Sequence, residues 1–578
     1  MDIIRCNPMN LSYAFQEVKD GKNFKVAREA ADPTLISFKD HYYLFPSVSG
    51  GFWVSDDLAD WTFVETPDWP IYDYAPDVRE VNGALYFSAS GFQKGAIYRT
   101  ADPIREPLEE VSRPFKMWDP NIFQDDDGRV YFYSGCSNKT PITGIELDAE
   151  TMLPIGEKKD LIFGNPDQHG WERIGVNNVP TAYADAKEKW MRMFMGSAPY
   201  IEGAYMNKVN GRYYLQYAAP GTELDGYGNG VYVGNSPLGP FTYQQSNPFS
   251  HKPGGFIKAA GHGSTLQDRY GNWWHIASMK ISNKFSFERR LGLFPAGFDE
   301  DGTLFCNQNY ADWPMIIPEG KIDPWKTTPD WMLLSYRKKV TVSSEQIRGS
   351  GNCLTDEDIR TTWSAANIGT GEWAMVDLGS SMEVRAIQLN FYEADDIQVT
   401  RGKAEMHGNF PKRHITVNAG PLRYLLEGSK DGKTWETLHD KREAEDDLPH
   451  DFIVLPKSKA LRYVRVTGFG MPYKARLCMS AIRVFGHGHG DKPAQALGKA
   501  IRTGDVSANI SWNRVPDAVG YNIRYGNSPD KLYHSWLVYG SEETLLIMNC
   551  LNAGQKYFFA VDSFNENGVT DGAVFSEI

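Results

Sequence analysis

Asp119-Pro-Asn-Ile-Phe-Gln-Asp-Asp-Asp-Gly-Arg-Val-Tyr-Phe132 is a short apolar strand, a polar turn and a second, aromatic strand. Its glycine supplies the positive φ that a tight hairpin turn requires. The same unit recurs with the first residues Asp32, Ala75, Glu202 and His262. Such self-similarity is the signature of a repeat architecture.

The five units share a register. The turn residue lies nine residues after the first residue of each unit, except in the second unit, where it lies eight residues after it. Four-stranded units of about 40 to 50 residues are typical of a β-propeller, whose innermost strands line a central channel. Residues 1–320 are therefore predicted to form a five-bladed propeller. Six blades are the alternative, because 83 residues separate Asp119 from Glu202; we favour a long loop around residues 169–178.

Equivalent positions of the blades must converge on the channel axis. Asp32, Asp119, Glu202 and His262 are therefore expected to lie close together. A pair of carboxylates serves glycoside hydrolysis as a base that activates water and an acid that protonates the leaving oxygen. We predict that Glu202 is the acid, with Glu172 in the long loop as its rival. The alternative for the aspartates is a structural one, because Asp-Pro is an ordinary turn dipeptide.

Aromatic residues supply candidates for sugar binding. Phe, Trp and Tyr make up 13% of the chain, and flat aromatic rings stack on sugar faces as well as packing in β-sheets. Tyr74, Trp53 and Trp118 are predicted to contact substrate, with a role in the core as the alternative for each.

Composition excludes several classes of function. The 578 residues exceed what one hydrophobic core can serve. A net charge of −13 argues against a nucleic-acid partner, and no apolar run approaches the roughly 20 residues of a membrane helix. The six cysteines form no CxxC pair. No leader is visible at the N-terminus. We expect a secreted or periplasmic protein whose leader has been removed; a cytoplasmic location is the alternative.

With these residues in hand, the first 320 positions resemble glycoside hydrolase family 43, five-bladed propellers that act on arabinose- and xylose-containing glycans. The resemblance rests on Asp32 in Ala-Asp-Pro-Thr-Leu-Ile, Asp119 in Trp-Asp-Pro-Asn-Ile-Phe and Glu202 in Ile-Glu-Gly-Ala-Tyr. It implies that Asp32 is the base that activates water. It further implies that Asp119 tunes the pKa of the acid and holds substrate, and that Glu202 is the general acid.

The resemblance also extends to other positions. His262 in Gly-His-Gly-Ser is similar to a family histidine near a calcium ion or water at the axis, although no cofactor is required for the chemistry. Arg289 looks like the arginine that contacts substrate, with its neighbour Arg290 as the alternative. Tyr74 stands where many members have tryptophan, which leaves the preferred sugar open.

The function that follows is that of an inverting, exo-acting glycoside hydrolase. We expect it to release terminal α-L-arabinofuranosyl or β-D-xylosyl units from plant-type polysaccharides or oligosaccharides. Inversion requires the acid and base carboxyls to lie roughly 6.5–9.5 Å apart, and we predict that spacing between Asp32 and Glu202. The alternatives are a β-D-galactofuranosidase or galactosidase on the same scaffold, or a propeller that binds glycan without cleaving it. The oligomeric state is left open.

Two further domains are predicted downstream. Residues 335–486 resemble a discoidin, or factor V/VIII C-type, jelly roll, on the strength of segments such as Trp373-Ala-Met-Val-Asp-Leu-Gly and Leu461-Arg-Tyr-Val-Arg-Val. This β-sandwich is either a carbohydrate-binding module or a purely structural domain. Residues 494–578 look like a fibronectin type III β-sandwich, with Trp512 in its core and Tyr557 tied back to the backbone through its hydroxyl.

Overall fold

The computed structural model of the protein describes residues 3–20, 23–69, 74–180, 198–397, 405–406 and 413–578. Strands make up 49% of the chain and helices 3%, so the predicted all-β class is confirmed. The helices in the described residues are short 3₁₀ segments: Gly170–Glu172, Val176–Asn178, Ser350–Thr355 and Pro472–Lys474. No helix in these ranges is long and apolar enough to span a membrane.

Five antiparallel four-stranded sheets, blades 1 to 5, follow one another along residues 31–306. From the inside outward, blade 1 consists of Ala31–Phe38, His41–Ser47, Gly51–Ser55 and Thr62–Glu65. Blade 2 consists of Asp77–Val81, Ala84–Ser88, Ile97–Thr100 and Glu109–Ser112. Blade 3 is Asn121–Gln124, Val130–Ser134, Ile142–Leu147 and Lys159–Ile162. Blade 4 consists of Glu202–Val209, Arg212–Ala219, Gly228–Gly234 and Phe241–Tyr243, and Ser250–His251 pairs with its third strand. Blade 5 consists of Lys258–Gln267, Trp273–Lys280, Arg289–Phe298 and Leu304–Cys306.

The blades form a closed ring. The inner strands of successive blades contact one another, and the inner strand of blade 5 packs against that of blade 1. Across this closure the Leu35 amide donates to Ser264 Oγ at 2.9 Å. The predicted five blades are therefore confirmed, and the six-bladed alternative is not.

A hairpin near the N-terminus joins the propeller to the next domain. Phe15–Asp20 and Asn23–Arg28 pair with each other, and Phe15–Asp20 also pairs with Arg413–Thr416, which in turn pairs with Glu405–Met406. Arg28 at the end of the hairpin forms ion pairs with Glu393 at 2.6 Å and Asp447 at 2.7 Å. Part of the predicted propeller domain is thus shared with the following one. A second short link pairs Ile3–Arg5 with Met315–Ile317.

The middle of the chain forms one eight-stranded sheet around a separate apolar core. Its two longest strands, of 19 and 21 residues, shift register along their pairing, which marks where the sheet bends. The strands are Met332–Leu333, Lys339–Val342, Trp363–Ser364, Trp373–Phe391, Arg423–Ser429, Glu436–Asp440, His450–Gly470 and Cys478–His487. The discoidin assignment for this region stays a prediction.

The last part of the chain forms two sheets that share one core. One sheet contains Gly498–Gly504, Ser507–Trp512 and Leu545–Met548; the other contains Gly520–Gly526, His534–Tyr539, Phe558–Asn565, Gly568–Thr570 and Phe575–Ser576. Trp512 is buried between them, and the Asn552 amide donates to the Tyr557 hydroxyl at 3.0 Å. The fibronectin assignment likewise stays a prediction.

Candidate active site

Residues predicted for the site lie together at the start of the inner strands. His262 Nδ1 is 3.3 Å from Asp32 Oδ1 and 3.7 Å from Asp119 Oδ2. A carboxylate oxygen of Asp119 lies within 4.8 Å of one of Glu202. The structure therefore brings the three carboxylates and the imidazole into one cluster.

The backbone is left-handed at the first residues of four repeats. The φ angles are +47° at Asp32, +48° at Ala75, +45° at Asp119 and +41° at His262. A non-glycine residue in this conformation costs of order 1–3 kcal/mol, and such residues concentrate at functional sites. The shared distortion indicates that these four positions are structurally equivalent.

Glu202 is not the fifth member of this set. In blade 4 the left-handed residue is Gly203, with φ +64°, and the strand pairing shifts register just after Glu202. A Cβ at position 203 would lie 2.8 Å from His262 Cγ, so a side chain there would displace the imidazole. The assignment of Glu202 to the same position as Asp32 and Asp119 is therefore wrong by one residue. In blade 4 the carboxylate belongs to Glu202, the residue before the left-handed Gly203.

Serine hydroxyls hold the distorted backbone in place. In three blades the amide of the first residue donates to a serine on the preceding blade, over 2.7 to 2.9 Å. The pairs are Asp32 with Ser278, Ala75 with Ser47, and Asp119 with Ser90. These hydrogen bonds tie each left-handed residue to the adjacent blade, so the ring of blades itself fixes the carboxylates.

Asp32 is held through both of its oxygens. Arg289 Nη1 donates to Oδ1 at 2.8 Å, and Ser47 Oγ donates to Oδ2 at 2.8 Å. The side chain is almost fully buried. Two directional donors leave this carboxylate little freedom to rotate, which suits a group that must aim at a water molecule.

Arg289 lies behind Asp32. Its guanidinium also pairs with Glu29 Oε1 at 2.7 Å and donates to Thr222 Oγ1 at 3.0 Å. Only 3% of the side chain is exposed. Arg289, predicted to contact substrate, thus holds the Asp32 carboxylate in place in this structure.

The neighbouring arginine points elsewhere. Arg290 is fully buried and donates to His450 Nε2 at 2.9 Å and to the Arg28 carbonyl at 2.6 Å. Of the two arginines left open by the sequence, only Arg289 faces the carboxylate cluster.

Asp119 differs from Asp32 in its electrostatics. The pKa of Asp119 is raised from 3.8 to about 7: burial raises it most, the charge of His262 lowers it, and the charges of Glu202 and Asp32 raise it. Ser90 Oγ donates to Oδ1 at 3.1 Å and the Gly203 amide donates to Oδ2 at 3.2 Å. Asp119 therefore exchanges a proton near neutral pH.

Glu202 has partners of its own. The Tyr227 hydroxyl donates to Oε1 at 2.5 Å, and Cys136 Sγ lies 3.0 Å from Oε2. The rival acid, Glu172, is fully buried among Tyr217, His169 and the Asn165 amide, all of which hydrogen-bond to it. Glu172 therefore has a structural role.

The described donors around His262 do not fit the expected calcium ion. Calcium takes six to eight oxygen ligands, whereas the imidazole nitrogen here faces one oxygen of Asp32 and one of Asp119. The Asp32 oxygen already accepts from Arg289. Since nitrogen is a poor ligand for calcium, these two contacts of His262 do not make a calcium site, and the metal assignment is not supported by this geometry.

The predicted aromatic contacts divide into two groups. Tyr74 lies next to the Arg289 guanidinium, whose Cζ is 5.8 Å from the ring centre, and Trp118 directly precedes Asp119. Trp53, by contrast, is 1% exposed within the apolar core between blades 1 and 5. The prediction that Trp53 binds sugar is therefore wrong, because its strand turns that side chain into the blade.

An exposed ring, not predicted from the sequence, lies beside Trp118. Phe92 packs edge to face on Trp118, with ring centres 5.1 Å apart, and is 51% exposed. Lys116 Nζ lies 5.6 Å from the Trp118 ring centre. The signal was a phenylalanine in the polar stretch Ser90-Gly-Phe-Gln-Lys94, where no core position is expected. Tyr227 and Cys136 gave no comparable signal, since both fall outside the repeat.

Fold and site together define a class: a propeller whose channel carries the carboxylate pair used by sugar-cleaving enzymes. Residues 23–304 match the family model described as "Glycosyl hydrolases family 43". This part of the chain is a family 43 glycoside hydrolase domain, as its resemblance implied.

Similar proteins carry related names. The chain is 28% identical over 237 residues to "Arabinoxylan arabinofuranohydrolase" of Bacillus subtilis, a match to 36% of this chain and 40% of that protein. It is 27% identical over 202 residues to "Beta-xylosidase" of Xylanibacter ruminicola, covering 33% of this chain and 57% of that one. The chain thus spans less than two thirds of these curated relatives. A solved xylan beta-1,4-xylosidase from Bacillus halodurans aligns at TM-score 0.41 and 15% identity, covering 84% of this chain and all of that one.

Proposed function

We propose that the protein is an exo-acting glycoside hydrolase that releases terminal α-L-arabinofuranosyl or β-D-xylosyl units with inversion of configuration. The observation that carries the proposal is that two carboxylates of one cluster have different surroundings. Asp32 accepts hydrogen bonds from Arg289 and Ser47, whereas Glu202 accepts one from Tyr227. An inverting glycosidase needs one carboxyl as the base and another as the acid, and different surroundings allow the two roles.

Each carboxylate has a distinct part in the proposed reaction. Asp32, fixed by Arg289 and Ser47, removes a proton from the attacking water. Glu202 gives its proton to the leaving oxygen on the opposite side of the scissile bond. Asp119 and His262 lie between them and keep the two groups in position.

The rim of the site supports binding of a second sugar. Phe92 and Trp118 present aromatic surface next to Asp119, and such rings stack on the apolar faces of sugars. We assign this aromatic rim, Phe92 with Trp118, to the sugar that remains after the terminal unit leaves. Tyr74, on the side of Arg289, is assigned to the terminal sugar itself.

Activity on a panel of nitrophenyl glycosides tests the proposal. Asp32→Ala should lower kcat on these substrates by about 10²–10⁴-fold, the usual contribution of a general base. Glu202→Gln should lower kcat by as much on natural linkages, whose leaving groups need protonation by a general acid. Glu157→Gln, at an exposed carboxylate of the propeller, is the matched control and should behave as wild type. Equal hydrolysis of natural linkages by wild type and Glu202→Gln would refute the assignment of the acid.

Stereochemistry tests the mechanism separately. Proton NMR of the first product formed should show the anomeric configuration opposite to that of the substrate. Retained configuration would mean that a carboxylate attacks the sugar directly, which calls for carboxyls only about 5 Å apart.

The same panel distinguishes the alternatives. Preference for a β-D-galactofuranosyl or galactosyl substrate would change the sugar and keep the mechanism. Binding without turnover of any substrate would make the propeller a glycan-binding module. For the location we propose a secreted or periplasmic protein, since its substrate is an extracellular polymer.

A further inference from the structure

The two oxygens of Glu202 have unequal partners. Tyr227 donates a short hydrogen bond of 2.5 Å to Oε1. At Oε2 the partner is the Cys136 sulfur, 3.0 Å away. A phenol is a strong donor, whereas a thiol is a weak donor and a weak acceptor. The carboxyl group is therefore asymmetric in its surroundings.

Tyr227 is fixed by its packing. The ring is 1% exposed, and the Ala260 amide donates to the Tyr227 carbonyl at 2.9 Å. A Cβ at Gly261 would lie 2.5 Å from the ring, so the ring lies flush against that backbone. Burial raises the pKa of Tyr227 well above its ordinary value, and nearby Glu202 raises it further. The phenol therefore keeps its proton, and Oε1 remains an acceptor.

Cys136 also stays protonated. Burial raises the pKa of its thiol well above the ordinary value, and the charges of Asp119 and Glu202 act in the same direction. No thiolate forms to repel Glu202. A thiol is a weak donor and a weak acceptor. A proton on Oε2 therefore faces no strong donor that competes for this oxygen, and no strong acceptor that holds the proton away from substrate.

We propose that Tyr227 and Cys136 are positioning residues that make Oε2 the proton-bearing oxygen of Glu202. The inference rests on the proposed function. In the acid step the O–H bond at Oε2 breaks and its proton goes to the glycosidic oxygen, which takes the electron pair of the broken bond to the sugar. Water adds to the sugar and gives its proton to Asp32. The products are two hydroxyl compounds, so all atoms balance.

Leaving-group dependence tests the role of Tyr227. Tyr227→Phe should lower kcat about 10-fold or more on alkyl glycosides, which need protonation. The loss on dinitrophenyl glycosides should be about threefold or less, because that leaving group departs without a proton. Tyr232→Phe, on a partly buried tyrosine of the same blade, is the control and should show neither change.

The pH profile gives a second readout. Loss of the Tyr227 hydroxyl removes a hydrogen bond that favours ionised Glu202, so the basic limb of kcat/KM should move up by about one pH unit. Cys136→Ser places a stronger donor at Oε2 and should move the same limb down. Cys353→Ser, at a partly exposed cysteine in the middle domain, is the control. Thermal unfolding of every variant identifies any that fail to fold.

The outcomes separate the inference from the function on which it rests. If Glu202→Gln cleaves natural linkages as well as wild type does, the proposed function fails. If Glu202→Gln is inactive but folded Tyr227→Phe loses equal activity on both leaving groups with an unmoved pH limb, only this inference fails. A limb that moves up in Cys136→Ser would likewise overturn it.

Discussion

Gly203 leaves the space that His262 occupies: a Cβ on residue 203 would lie 2.8 Å from His262 Cγ. The Gly203 amide also donates to Asp119. Gly203 therefore allows His262 and Asp119 to lie next to the strand that begins at Glu202. Its conformation, with φ +64°, is one that side chains rarely adopt.

Gly203→Ala should lower both stability and kcat, because the methyl group pushes the His262 imidazole away from the carboxylates. Gly211→Ala is a matched control: its φ is +76°, but nothing lies within 4 Å of its Cβ position. Both variants should lose about 1 kcal/mol of unfolding free energy through backbone strain. Only Gly203→Ala should also lose activity, about 10-fold or more. Equal activity of the two variants in a kinetic assay would contradict the steric argument.

Arg289→Lys should reduce activity although it keeps the charge. A single ammonium cannot reproduce the forked contacts of the guanidinium with Asp32 and Glu29. We expect kcat of Arg289→Lys to fall about 100-fold through misplacement of Asp32. Arg289→Met should lose about 3–5 kcal/mol of unfolding free energy, because it leaves two buried carboxylates without their cationic partner. Urea unfolding and steady-state kinetics measure the two effects. Wild-type kcat in Arg289→Lys would show that the pair does not orient the base.

Asp119→Asn should change how stability depends on pH. Since the fold raises the pKa of Asp119 to about 7, the native state binds more protons than the unfolded chain between about pH 4 and pH 7. Stability from this group therefore falls as pH rises through that window. Asparagine cannot ionise, so the variant should gain about 1–3 kcal/mol relative to wild type on going from about pH 4 to pH 7.5.

A carboxylate with the opposite shift is the control for that measurement. Hydrogen bonds from Lys208 and Tyr213 help lower the pKa of Asp125 despite its partial burial. Its contribution is present above about pH 4 and is lost only as pH falls below that value, so the stability difference between Asp125→Asn and wild type should stay nearly constant on the same passage. Denaturant unfolding at both pH values compares the two variants. An identical change in both variants would argue against the pKa of Asp119.

Phe92→Ala should weaken binding of oligosaccharides and leave the chemistry intact. Loss of one stacking ring costs about 0.5–1.5 kcal/mol, so KM should rise about 2- to 10-fold with kcat unchanged. Phe163→Ala removes a comparably exposed ring in blade 3 and serves as the control. An unchanged KM on oligosaccharides of three or more sugars would remove Phe92 from the aromatic rim.

Trp53→Ala should act through stability alone. The side chain is buried against Phe63 and Tyr13, and emptying such a site costs about 3–5 kcal/mol. Differential scanning calorimetry should show a lowered melting temperature, while KM of the folded fraction stays at the wild-type value. A selective rise in KM would restore the sugar-binding role.

The repeat predicted the ring of blades and the cluster at its centre because both follow from sequence periodicity. It could not predict that Gly203, rather than Glu202, is equivalent to Asp32, since the irregularity is a shift in strand pairing that leaves no gap in the sequence. Nor could it find Tyr227 or Cys136, which reach the acid from loops outside the repeat. Trp53 was misjudged because both faces of its strand are buried, with Trp53 on one and Phe52 on the other, and the sequence alone does not show which strands are covered on both sides.

The hairpin of Phe15–Asp20 and Asn23–Arg28 carries a consequence for any attempt to isolate the propeller. Its outer strand is paired along Phe15, Gln16 and Glu17 with Arg413–Thr416 of the next domain. A propeller released by cutting the chain near residue 320 would expose that strand as an open edge, with its amides and carbonyls free to pair with another molecule. Pairing with Arg413–Thr416 thus prevents this edge from pairing with a second molecule.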